Sequence, residues 1–98
     1  MKLHELPIPP SSALSGEAAE VLRVWINADR SMDVSLIPAF PDPSAWGILL
    51  VDIARHVARA YAKEGLAKEE DTLAGIRELF HAEWDSPTDP GRTTPMRN

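Results

Sequence analysis

The sequence contains no cysteine, which removes disulfide frameworks, thiolate metal sites and cysteine nucleophiles in one step. It also lacks a long hydrophobic run. Its start, Met1-Lys2-Leu3-His4-Glu5-Leu6-Pro7, brings in proline where a secretory leader needs an uninterrupted apolar stretch of at least about seven residues. A cytoplasmic location is expected, with no membrane partner. Positive charge is short as well: 10 Lys and Arg stand against 15 Asp and Glu, for a net charge of −5. Nucleic acid, which is held mainly by lysine and arginine releasing counterions, is therefore not an expected partner. Glycine is scattered at Gly16, Gly47, Gly65, Gly75 and Gly91, so no glycine-rich loop is available to cradle a phosphate.

What is present is ordinary globular material, 44% hydrophobic and 26% charged, which predicts a chain that folds. Its 98 residues have room for one domain. A core of this size buries only about two thirds of the unfolded surface, and with no disulfides to assist, a second copy is a natural added source of stability. Residues 1–16 carry Pro7, Pro9 and Pro10, then Ser11, Ser12, Ser15 and Gly16, the pattern of an extended lead-in. Pro7 and Pro10 have PxxP spacing, more often found in tails than in ligands of proline-binding domains. Residues 86–98, with Pro87, Pro90 and Pro95 and almost no apolar side chain, read as a disordered tail. A single α+β domain is expected between them, over residues 17–85.

Within it, Val21-Leu22-Arg23-Val24-Trp25-Ile26-Asn27 and Met32-Asp33-Val34-Ser35-Leu36-Ile37 are rich in β-branched and aromatic types and flank a polar stretch, which predicts an antiparallel β-hairpin. Alternation puts Leu22, Val24 and Ile26 on the face expected to be buried, with Trp25 and Ile37 as apolar exceptions on the other. Pro38, Pro41 and Pro43 end the strand, and Asp42-Pro43 is a good helix start. From Pro43 to Glu64, Trp46, Leu49, Leu50, Ile53, Ala54, Val57, Ala60 and Tyr61 form one broad apolar stripe. Asp52, Arg55, Arg59 and Lys63 lie opposite, Ile48 and Val51 fall off the stripe, and Gly65 stops the helix. A second helix from Glu69 to Trp84 aligns Leu73, Ile76, Phe80 and Trp84. The order β-β-α-α implies helices packed on one face of a small antiparallel sheet, enlarged if two copies pair.

Candidate chemistry is thin. Asp52 and His56 are four apart on the first helix, and His81 and Asp85 four apart on the second, a spacing that sets each pair side by side. Imidazole and carboxylate suit a divalent metal, but on antiparallel helices over one sheet the two histidines do not converge, so paired surface hydrogen bonds are the plainer reading and no metal or cofactor is implied. The serines have no nucleophile-elbow context. Glu64, Glu69 and Glu70 at helix ends read as solvated charges rather than acid–base catalysts. Gly47 and Gly75 inside helices each cost about 1 kcal/mol relative to alanine, which points to a close packing contact at each.

The run Ala45-Trp46-Gly47-Ile48-Leu49-Leu50-Val51-Asp52-Ile53-Ala54-Arg55-His56-Val57-Ala58, preceded by Leu22-Arg23-Val24-Trp25 and Asp42-Pro43, resembles a family of short proteobacterial proteins classified only as a domain of unknown function. The resemblance covers roughly residues 20–65. It implies a bacterial, cytosolic origin and brings no catalytic or binding residue with it.

The expected function is a non-catalytic protein-interaction or homodimerisation module, with Trp25, Ile37, Trp46, Ile48 and Val51 as interface candidates that need cover. The alternative is a small-ligand or metal-binding enzyme that uses Asp52, Arg55, His56 and Arg59 on the polar face of the first helix. A third class, a regulator docking on a partner protein through the acidic second helix, differs from the first in predicting salt-sensitive binding.

Overall fold

The computed structural model describes residues 3–88 and 92–95. β1 (Leu22–Ile26) and β2 (Met32–Leu36) form the expected antiparallel hairpin, with Leu22 opposite Leu36, Val24 opposite Val34 and Ile26 opposite Met32. The Asn27 N–H donates to the Ser31 carbonyl at 2.8 Å, and the Arg30 N–H to the Asn27 carbonyl at 2.9 Å. Arg30 takes a left-handed φ of 71°, the arrangement by which a turn and one left-handed residue close a three-residue hairpin loop. Polar side chains lock the loop: the Asn27 amide donates to Ser31 Oγ and Asp33 Oδ2, and Asp29 Oδ1 accepts from the Ser31 N–H and O–H. The polar stretch between the strands is therefore a hydrogen-bonded cap.

α2 (Ala45–Lys63) and α3 (Glu69–Asp85) follow where the stripes predict them. Asp42 Oδ1 accepts the Ser44 N–H at 2.9 Å, which turns the chain into the first coil of α2. At the far end Gly65 has φ 71°; its N–H reaches the Ala62 carbonyl at 3.0 Å and the Leu66 N–H reaches that of Tyr61 at 2.9 Å. This pair of bonds is the Schellman ending, and it satisfies carbonyls that the last turn leaves free. The five-residue link between Lys63 and Glu69 is short enough to return α3 antiparallel against α2. α3 opens with Glu69, Glu70 and Asp71, charges that suit the positive end of a helix dipole.

The α+β layout and the β-β-α-α order stand, with two additions and one change of packing. α1 (Pro10–Ser15), in the lead-in expected to be extended, begins on a proline and ends at Gly16 with φ 68°. Proline just inside a helix start and glycine just past its end is itself a helix signature. β3 (Arg92–Pro95), in the tail expected to be disordered, pairs parallel with β2, from Asp33 opposite Arg92 to Leu36 opposite Pro95. This makes β2 the central strand, and Pro95 sits on an edge strand, where a missing N–H is tolerated. Nearer the helix, the Ser86 N–H donates to the Ala82 carbonyl and the Thr88 N–H and O–H donate to the Glu83 carboxylate; residues 89–91 and 96–98 lie outside the described residues.

The packing change concerns the helices. Among the described elements, β1 with β2, β2 with β3 and α2 with α3 are the pairs that bring Cα atoms within 8 Å, so the two helices pack on each other and not on the sheet. Consequently Val24 and Ile26, on the face expected to be buried, are 48% and 68% exposed, while Trp25 is half-buried. The lead-in, rather than α2 or α3, runs beside β1: a groove there is bounded by Glu5, Leu6, Ile8, Leu22, Arg23 and Trp25. Arg23 ties it in, donating to Glu5 and, through both Nε and Nη2, to Glu20. The hydrogen bond and charge of Glu20, then the charge of Glu5, raise the Arg23 pKa above its ordinary value.

Candidate functional site

Asp52, Arg55, His56 and Arg59 all lie exposed on α2, the first, second and fourth opposite the apolar stripe and His56 on its flank beside Leu49. The geometry joins two of them, the Arg59 Nε–H donating to the Arg55 carbonyl at 3.3 Å. That bond occupies backbone and does not build a binding group. His81 and Asp85 are exposed on α3. Among the described residues no three or more His, Asp or Glu side chains gather in a way that would hold a metal ion. Glu69 and Glu70 line an open depression at the α2–α3 turn together with Ala62, Gly65 and Leu73. Neither this depression nor the groove beside β1 includes Asp52, Arg55, His56 or Arg59.

The interface candidates divide. Ile37 and Trp25 are half-buried, and the Ile37 N–H is fixed to the Val21 carbonyl at 3.1 Å. Trp46 is half-buried and meets Phe40 edge to face, with ring centroids 5.5 Å apart. Such a pair adds about 0.5–1.5 kcal/mol beyond the area it covers. Ile48 and Val51 are open, at 70% and 54% exposure.

The larger apolar feature is one that isolated anomalies in the sequence did not mark. Leu50, Ile53, Val57 and Tyr61 on α2 and Phe80 and Trp84 on α3 are all exposed. On α3 the rings of Phe80 and Trp84 stack at 5.4 Å. These residues are the centres of the two helical stripes, which were expected to be buried against the sheet. Only Ala58, on the flank of α2, is fully buried among the described residues. The signal for this surface was the stripe itself; what the sequence did not show was that the sheet would leave it uncovered.

Close packing does not explain the helical glycines. A Cβ placed on Gly47 or on Gly75 would meet nothing within 4 Å. At Gly75, which faces away from the Leu73, Ile76 and Phe80 stripe, Gly75→Ala removes the backbone entropy penalty without crowding. It is expected to stabilise the fold by about 1 kcal/mol, read as a rise in melting temperature of roughly 4–8 °C for a domain of this size.

Comparison with known proteins places these features in a group. A family model described as a domain of unknown function, DUF5076, matches residues 5–88. A solved structure described as that of a putative pyruvate dehydrogenase from the photosynthetic bacterium Rhodopseudomonas palustrus is similar to the chain at 41% sequence identity, with a TM-score of 0.71, covering 99% of this chain and 97% of that one. No curated protein matches.

Proposed function

The chain belongs to the DUF5076 family of unknown function, and from that premise we propose that it is a cytoplasmic, non-catalytic module that works as a homodimer. One observation carries this reading. The chain exposes 8822 Å², whereas a compact monomer of its mass exposes about 5,500 Å². That area includes the exposed lead-in and the residues outside those described, so only part of the excess is open to a partner. The apolar part that bears on an interface lies on the two helices, where Leu50, Ile53, Val57, Tyr61, Phe80 and Trp84 are all exposed, as in surfaces that assemblies cover.

Absence of chemistry does not make the argument; the location of the apolar surface does. The pyruvate dehydrogenase description belongs to the relative. In this chain the cations that would attract a small carboxylate, Arg55 and Arg59, stand exposed on a helix face. Binding sites for small ligands are concave and largely apolar, so this face gives that reading no support. Among the described residues no helix is long and apolar enough to cross a membrane.

Sedimentation velocity at micromolar concentration tests the proposal. A species of twice the 10.8 kDa chain mass is the expected result, and a strict monomer would overturn it.

A further inference from the structure

Resting on the homodimer reading, we infer that the second copy seats on the shared α2–α3 face and that the two helical hairpins form an antiparallel four-helix bundle, with the sheets outside it. The spacing is right for such a seam. On α2, Trp46, Leu50, Ile53, Val57 and Ala60 follow one another at alternating intervals of four and three residues, and on α3 Leu73, Ile76 and Phe80 continue the same rhythm. This is the repeat by which helices interlock side by side in bundles. Two helices alone cannot bury it. Leu50, Val57, Tyr61 and Phe80 remain between 38% and 47% exposed, half in contact and half open, as expected of residues that have one helical neighbour and lack another.

The direction of the missing neighbour follows from the wheel. Ala58, the buried residue, lies about 100° round α2 from Val57, since each residue advances about 100°. The covered flank and the open stripe are therefore about a quarter-turn apart, which is the angle between the two neighbours of any helix in a four-helix bundle. Ile48 lies about 180° from Val57 and stays outside the seam.

Charge selects the order of the helices. α2 carries one acid and three bases, Asp52 against Arg55, Arg59 and Lys63, while α3 carries six acids and one base. Placing each α2 beside the partner's α3 pairs opposite signs and keeps every adjacent pair antiparallel. Placing α3 beside α3 sets a net charge of −5, six acids less one base, against the same charge. The two-fold axis then runs parallel to the helices, with the two copies of α2 diagonal to each other.

Three measurements test this. In Val57→Asp an aspartate enters the apolar seam, and dimerisation is expected to weaken by about a hundredfold or more. Ile26→Asp, on the open sheet face, is expected to leave it unchanged. If Ile26→Asp separates the copies while Val57→Asp does not, the seam is on the sheet and this assignment is overturned while the homodimer reading stands; a wild-type monomer overturns both. Should Val57→Asp fail to fold, Val57→Cys supplies the chain with a single thiol for a nitroxide label. Diagonal helices, at interaxial spacings of about 8–10 Å between neighbours, predict a label separation under roughly 30 Å; a separation well beyond that overturns the bundle.

Discussion

A hundredfold dilution, from about 100 µM to about 1 µM, should lower the melting temperature by roughly 5–11 °C. One alanine is fully buried among the described residues of a 98-residue chain, so a separated copy has little to hold it folded. Unfolding is then coupled to dissociation, and mass action makes stability depend on protomer concentration. Each tenfold dilution removes about 1.4 kcal/mol, so two decades remove about 2.7 kcal/mol. For two chains unfolding together, with the entropy of a protein near 200 residues, each kcal/mol moves the midpoint by about 2–4 °C. Helical ellipticity followed through the melt at several concentrations makes the measurement. Superimposed curves would show a chain that is stable alone.

Gly65→Ala is expected to cost about 1–2 kcal/mol, the penalty of holding a side chain in the left-handed region. Crowding plays no part, because a Cβ at Gly65 would meet nothing within 4 Å while its φ is 71°. The effect should extend beyond one turn. The N–H groups of Gly65 and Leu66 close the end of α2 onto the carbonyls of Ala62 and Tyr61, and that ending aims the short link into α3. A shift there changes how the two stripes line up, and with them the proposed seam. The test is a urea titration in which the midpoint falls at unchanged slope. Gly65→Asn, whose side chain tolerates this conformation better, should lose less.

The elements were legible in the sequence because each has a local cause. The hairpin follows from the clusters around Trp25 and Val34, the long helix from its 3.6-residue stripe and from Asp42 and Gly65 at its ends, and the second helix from Leu73, Ile76 and Phe80. What local pattern does not carry is the partner of each apolar face. Val24 and Ile26 alternate as buried residues do, yet they are 48% and 68% exposed, because no helix lies over them. The stripe on α2 was expected to pack on the sheet, and Leu50, Ile53, Val57 and Tyr61 along it are exposed. α1 was missed since its Pro10 and Gly16 are equally the marks of a loop. β3 was missed because Arg92–Pro95 pairs across both helices with β2, a contact with no trace in its own composition. The polar residues of α2 are exposed, but their periodicity says nothing about whether anything encloses them.

That distant pairing also orders events during synthesis. The hairpin and the helix pair are made of contacts close in sequence, which form in microseconds, and chains emerge from the amino end at about 5–20 residues per second. β2 is therefore ready long before the residues that complete its sheet exist. Between the appearance of Leu36 and that of Arg92, the open side of β2 offers unpaired N–H and carbonyl groups to any nascent neighbour on the same message. The arrival of Arg92–Pro95 closes that edge, which removes β2 as a site for strand addition in the finished chain.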